Sequence, residues 1–207
     1  MKKVCIFDFD GTIIDSMDGF ADIASAVINK HYGTPIKKAR EQYIKTSGLP
    51  FFEQLEVIFP GDSRNEVAAD EYETTKKRSY LTKKPFKDVQ KTMQNLKARG
   101  IKAIISSNNF QELVDNLVNR IGIKFDMVLG WRKNFSKGHD HFSHVRKRLG
   151  CKMDEMIFIG DSLKDAERAK DFGIDFVAKT GTFDHKDFKK LSAKTISSLS
   201  ELEDILT

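Results

Sequence analysis

Four aspartates stand where two apolar runs stop: Asp8 and Asp10 in VCIFDFDGTIID (residues 4–15), and Asp161 and Asp165 in IFIGDSLKD (residues 157–165). Carboxylates this close in sequence repel each other unless positive charge sits between them. A hard divalent cation such as Mg2+ meets that need, because it binds carboxylate, carbonyl and water oxygens and tolerates a bound phosphate. Gly11 and Thr12 follow Asp10 directly and offer a tight turn, backbone N–H groups and a hydroxyl, a set suited to an anion. A single aspartate at such a place would only end a strand or cap a helix. Four of them predict a metal and phosphate site, with Asp8, Asp10, Asp161 and Asp165 as the acidic group and Gly11 and Thr12 against the phosphate.

These residues are useful only if the chain brings them together. Val4 to Phe7 is apolar at every position, the pattern of a strand buried on both faces in the centre of a parallel sheet. Asp8 then falls at the strand's carboxyl end, where ligands bind in open α/β sheets. Beyond Pro85 a helix carrying Val89, Met93 and Leu96 runs to Gly100, and strands and helices alternate from there. Strands are expected at Ile101–Ile105, Phe125–Leu129, Met156–Ile159, Ile174–Val177 and Ala193–Ile196, with helices at Gln111–Ile121, Phe142–Leu149, Leu163–Phe172 and Ser198–Leu206. This alternation predicts an α/β fold, a Rossmann-like parallel sheet flanked by helices. Residues 15–82 instead show helical periodicity without a strand signal. Helices are expected over 15–31, 36–46 and 51–59, with a fourth capped by Ser63 and ending near Tyr80. The expected organisation is a core domain of residues 1–14 and 83–207 interrupted by a helical module, 15–82.

Other strand ends carry further chemistry. Ile104 and Ile105 lead into Ser106, Ser107, Asn108 and Asn109, where a hydroxyl and a helix N-terminus could hold phosphate oxygens, although Ser or Asn there is also an ordinary helix cap. Lys137, in NFSKGH just ahead of a helix, would give fixed positive charge to the phosphate and to Asp8; standing alone it would be a surface lysine. In HDHFSH (139–144), His141 and His144 share a helical face, His139 points elsewhere and no acid completes a metal set. An outward helix face, or His139 lining the rim of the phosphate pocket, is expected there.

A chain of 207 residues suits one sizeable domain with an insert. Its 35 basic and 30 acidic residues give a net charge of +5, but the lysines are spread along the chain. That favours a solvated surface, or a basic rim around an anionic substrate, over a nucleic-acid face. Cys5 in a strand and Cys151 after a helix form neither a disulfide framework nor a metal pair, which fits a reducing compartment. No run approaches membrane-spanning length, and the opening apolar stretch is broken by Asp8, so a cytoplasmic location is expected.

In order along the chain, FDFDGT (7–12), ISSN (105–108), Lys137 and IGDSLKD (159–165) resemble the four motifs of the haloacid dehalogenase superfamily of phosphohydrolases. The helical insert after the first motif resembles the cap of its phosphoglycolate phosphatase and β-phosphoglucomutase branch. The resemblance spans almost the whole chain. It implies that Asp8 is the nucleophile that becomes an aspartyl-phosphate, and that Asp10 protonates the leaving oxygen and later activates water. It implies Mg2+ held by Asp8, the backbone carbonyl of Asp10 and Asp161, with Asp165 helping directly or through water. Lys137 would offset the charge on Asp8 and the phosphate, and Ser107 with Asn108 would bind the phosphate. Ser106 is the alternative hydroxyl, and an ungapped match of the following helix favours Ser107.

Haloalkanoate dehalogenases of this fold normally lack the second aspartate, so Asp10 points to phosphate over halide. The implied function is a Mg2+-dependent phosphatase acting on a small phosphate monoester, as a monomer or homodimer without membrane or nucleic-acid partners. A phosphosugar mutase and a nucleic-acid-end phosphatase are the alternatives. Specificity in this branch comes from the cap, where GLPFF (48–52) resembles the loop that reaches the substrate. Phe51 and Phe52 also continue the apolar stripe of Leu55 and Ile58 and read as cap core. Pro85-Phe86 stands where many phosphoglycolate phosphatases have Pro-Gly, which weighs against phosphoglycolate itself.

Overall fold

All four side chains of β1 (Val4–Phe7) are buried, as an unbroken apolar run requires. In the computed structural model, which describes residues 1–206, β1 lies inside a six-stranded parallel sheet. A two-residue strand β2 (Ile14–Asp15) follows it, and then four helices: α1 (Met17–Tyr32), α2 (Ile36–Lys45), α3 (Phe51–Ile58) and α4 (Asn65–Tyr80). The chain returns through β3 (Lys84–Pro85), which pairs antiparallel with β2. There follow α5 (Val89–Ala98), β4 (Lys102–Phe110), α6 (Gln111–Ile121), β5 (Met127–Trp131), α7 (His139–Leu149), β6 (Met156–Gly160), α8 (Leu163–Phe172), β7 (Asp175–Lys179), α9 (His185–Lys189), β8 (Lys194–Ile196) and α10 (Leu202–Ile205). The sheet order is β5-β4-β1-β6-β7-β8, so the chain reverses its direction of travel across the sheet at β1. That is the place where such sheets open a crevice for ligands.

Two compact units result: Met1–Asp15 with the described residues from Lys84 on, and Ser16–Lys83. In the first, Val4, Ile6, Ile104, Leu129, Met156 and Phe158 meet Phe142 and Val145 of α7 and Ala169 of α8 in one apolar cluster. In the second, Phe20, Ala24, Val27 and Ile28 form the buried face of α1. The Phe51 ring stacks on Tyr72 with centroids 4.0 Å apart, and the Tyr43 and Tyr72 hydroxyls are 3.0 Å apart. Phe51 is therefore core, whereas Phe52 is 46% exposed, a correction to the reading that buried both.

Other departures have local causes. The fourth helix starts at Asn65 rather than at a Ser63 cap, because Asp62 Oδ1 accepts from the Arg64 N–H at 2.9 Å and takes over the turn. Arg64 also holds the Asp62 carboxyl down at about 2. β4 runs on through Ser106–Asn109 to Phe110, past the expected end at Ile105 and through residues expected at a helix N-terminus, with a register shift against β5 between Ser106 and Phe110. Among the described residues no helix is long and apolar enough to cross a membrane.

Candidate active site

Register brings the acidic residues together. Phe7 lies level with Ile105 of β4 and Ile159 of β6, so Asp8 stands one residue beyond, and its N–H donates to the Ile159 carbonyl at 2.8 Å. After Asp8 the chain turns sharply. The Ile13 and Ile14 N–H groups donate to Phe9 O at 2.9 and 2.8 Å, with Gly11 at φ 79°, a value that suits glycine. Thr12 is fully buried in this turn, and its hydroxyl has no protein hydrogen-bond partner.

On the neighbouring strand, β6 ends at Gly160, and Asp161 and Ser162 lead into α8. The Ser162 hydroxyl caps the helix by accepting from the Asp165 N–H at 3.1 Å. That cap fixes Asp165 in the first turn with its carboxyl pressed against the strand. A Cβ on Gly160 would lie 2.7 Å from Asp165 Cβ and Oδ2, so the strand must carry glycine there. Asp8, Asp161 and Asp165 are all buried, with one carboxylate oxygen of each lying within 4.8 Å of the others.

Lys137 answers this charge. Its ammonium lies 2.7 Å from Asp8 Oδ1 and 2.7 Å from Asp165 Oδ1, with the side chain 4% exposed. Burial alone would lower the lysine's pKa; Asp165 and Asp8 together raise it instead. Asp165, which burial would push up, is held below its usual value by Lys137 and by Arg168, whose Nη1 is 3.3 Å from Oδ1. Asp8 goes the other way: burial, reinforced by the charges on Asp165 and Asp161, raises it well above an ordinary carboxyl despite Lys137. Asp161 is raised to about 6 by burial and then by Asp165. Two carboxylates that resist ionisation, and the buried Asp165 Oδ2 with no hydrogen-bond partner, mark a cluster short of positive charge. Its donors are all oxygens, the set a hard cation such as Mg2+ takes.

The remaining candidates fall around this group. Asp10 is half-buried; its side chain is not in the three-carboxylate cluster, and its Oδ2 accepts from Asn109 Nδ2. Ser107 is buried, and its Oγ accepts from the Asn109 N–H at 3.1 Å. Ser106 Oγ is instead engaged 2.9 Å from His141 Nδ1. Asn108 is half-buried between Ser107 and Asn109 in β4.

The contacts of four further residues had not been foreseen, although Asn109 had been named after the apolar run of β4. Asn109 and Thr182, whose hydroxyl donates to Asp161 Oδ2, lie far along the chain from the carboxylates they touch and leave no local trace. Arg168 had a signal, its i+3 spacing from Asp165 on a helix. Lys179 had one too, a charge at the carboxyl end of an apolar strand; it is 4% exposed and donates to the Gly11 carbonyl at 3.2 Å.

The histidines require a correction. His139 and His144 are exposed, but His141 is fully buried, because α7 begins at His139 and turns His141, Phe142 and Val145 inward together. Burial, with Lys137 adding its charge, lowers His141 from 6.5 to about 3. Below pH about 6.5 the unfolded chain therefore binds a proton that the folded chain excludes, and stability falls toward acid by about 1.4 kcal/mol per pH unit from this group. His141→Gln should flatten the urea-unfolding midpoint between pH 6.5 and 4.5 relative to wild type. Parallel pH curves for the two proteins would show that His141 is not the group responsible.

Comparison with known proteins agrees with this geometry. Residues 5–179 match the family described as Haloacid dehalogenase-like hydrolase. Among curated relatives, the chain is 22% identical over 212 aligned residues to tyrosine-protein kinase PtkA of Mycobacterium tuberculosis, covering 99% of this chain and 72% of that one. It is 26% identical over 190 residues to a phosphoglycolate phosphatase of Aquifex aeolicus, covering 83% and 81%. In fold it matches a haloacid dehalogenase-like family hydrolase of Streptococcus pneumoniae with a TM-score of 0.84 at 18% identity, over 100% of this chain and 99% of that one.

Proposed function

The chain belongs to the haloacid dehalogenase-like hydrolase family as a phosphatase, and on that premise we propose that it hydrolyses a small phosphate monoester through a phosphoryl group carried on Asp8, with Mg2+ bound. The observation that carries this reading is the buried Asp8–Lys137–Asp165 chain of contacts beside Asp161, with Asp10 two residues on from Asp8. Mg2+ would be held by Asp8, Asp161, Asp165 and the Asp10 carbonyl, and when bound it supplies charge neutralisation for the phosphate. A carboxylate of Asp8 attacks phosphorus while the ester oxygen leaves with a proton from Asp10. Asp10 then takes a proton from water as the water attacks the phosphoryl group on Asp8. Lys137 favours the ionised form of Asp8 against burial and offsets charge on the phosphoryl oxygens, and Ser107 with Asn108 and the turn at Gly11–Thr12 hold those oxygens.

The test is release of inorganic phosphate from sugar, glycolate, nucleotide and oligonucleotide-end phosphates, with Mg2+ and with chelator. Release should be lost in chelator and restored by Mg2+. Mg2+ at 100 times its Kd should also stabilise wild type against urea by about 2.7 kcal/mol and Asp161→Asn by much less. Chelator-resistant release would remove the metal from this reading. Interconversion of sugar phosphates without release would favour the mutase, and salt-sensitive release confined to oligonucleotide ends would favour the nucleic-acid phosphatase. The 99% coverage by a relative named a tyrosine kinase supports a second reading, phosphoryl transfer to a protein tyrosine. ATP with a tyrosine-containing peptide, in the same panel, tests it.

A further inference from the structure

Asp10 has to exchange a proton twice in each turnover on the reading above, and this inference rests on that reading. A carboxyl group free to rotate offers either oxygen and either lone pair, so the acid is aimed only if something holds it. The Asn109 side chain is placed to do so. Asn109, 9% exposed at the end of β4, donates from Nδ2 to Asp10 Oδ2. Asn109 is itself fixed, since its backbone N–H donates to Ser107 Oγ at 3.1 Å. That bond occupies an acceptor site on the Ser107 hydroxyl and leaves the O–H free to donate.

We propose that Asn109 is a positioning residue for Asp10, its amide holding Oδ2 as an acceptor and so setting the plane in which the carboxyl group exchanges its proton. As the Asp8–phosphorus bond forms and the ester P–O bond breaks, the proton on the Asp10 carboxyl passes to the departing oxygen. In the second half the Asp10 carboxylate takes a proton from water as the water's oxygen bonds to phosphorus and the bond to Asp8 breaks. Throughout, Oδ2 stays on the Asn109 amide. The three residues Ser107–Asn109 thus serve both the phosphate, through the Ser107 hydroxyl, and the proton carrier, through the Asn109 amide. A shift of the β4 end would disturb both at once.

A positioned acid matters for a poor leaving group and hardly at all for a good one, and this separates aiming from mere structure. The measurement is kcat/KM for the best alkyl phosphate of the panel and for 4-nitrophenyl phosphate, on wild type, Asn109→Ala, Asn109→Leu, Asp10→Asn and the Asp10→Asn/Asn109→Ala double variant. Asn109→Ala and Asn109→Leu should lose about 30-fold on the alkyl ester, a fraction of what general acid catalysis supplies, and no more than about 3-fold on the aryl ester. In the Asp10→Asn background the Asn109 change should add almost nothing. Equal losses on both esters, or a full further loss in the double variant, would overturn the assignment. Asp8→Asn in parallel keeps the two ideas apart: if release survives that change, the reading with Asp8 as nucleophile falls and the role of Asn109 falls with it.

Discussion

Asp8→Asn should release phosphate at least about 10^4-fold more slowly than wild type while remaining fully folded, because the amide has the shape of the carboxyl but no nucleophilic oxygen. The fold is expected to be at least as stable as wild type when no metal is bound. Asp8 is pushed well above its usual value by burial and by the charges of Asp165 and Asp161, so at neutral pH its ionised form opposes folding. A neutral isostere removes that opposition and leaves Lys137 its contact with Asp165. Phosphate release, thermal melting with chelator and circular dichroism together decide the matter. Near-wild-type turnover in a folded variant would exclude Asp8 as nucleophile, whereas loss of turnover with loss of fold would mean that the carboxylate holds the structure.

Lys137→Met should have the next largest effect, about 10^3-fold on turnover, since it removes the fixed charge opposite the reacting group. It also changes stability in a way that depends on pH. Wild-type Asp165 sits below its usual value through Lys137 and Arg168, and so contributes stability above the unfolded carboxyl's titration that is lost as the solution is acidified. Without Lys137, Asp165 and Asp8 face each other with only Arg168 to offset them. Breaking a buried ion pair in this way costs about 3–5 kcal/mol while the carboxylates are ionised. As pH falls, the protonated carboxyls no longer need the lysine, and the deficit shrinks. Urea unfolding at pH 8 and pH 5.5 should show a large gap from wild type at the first and a small one at the second. A gap that does not change with pH would mean that the lysine acts only by filling space.

The core sheet was readable because β1 and β6 are apolar at every position, a pattern that only a strand covered on both faces sustains. Their ends were readable for the same reason, since an aspartate closing an apolar run stands out. The end of β4 was not. Ser106, Ser107, Asn108 and Asn109 have the composition of a loop, and the strand continues through them only because tertiary partners take up their polar groups: His141 for Ser106 and Asp10 for Asn109. His141 shows the same effect. In HDHFSHVRKR it reads as one polar residue among many, and its burial follows from the phase of α7, which Phe142 and Val145 set. The two-residue strands β2 and β3 are too short for any periodicity to announce them. The partners of a buried carboxylate are chosen by topology; helical spacing points to those that, like Arg168, share its helix, whereas Lys137 was legible only from its place ahead of a helix and the order of the motifs.

The place of β1 in the sheet also constrains how the protein is made. Val4 is translated well before its neighbours on either side, Lys102 and Met156. A strand that cannot be paired until β4 has been translated must wait as an open, wholly apolar segment. Contacts of such long range are slow to form even in the finished chain. Until β4 emerges the nascent polypeptide therefore carries an unpaired apolar strand, the kind of segment that chaperones shield. The carboxylates of Asp8 and Asp161 can meet only once β6 has emerged. No truncated product of interrupted translation that ends before β6 and Asp161 can hold the cluster.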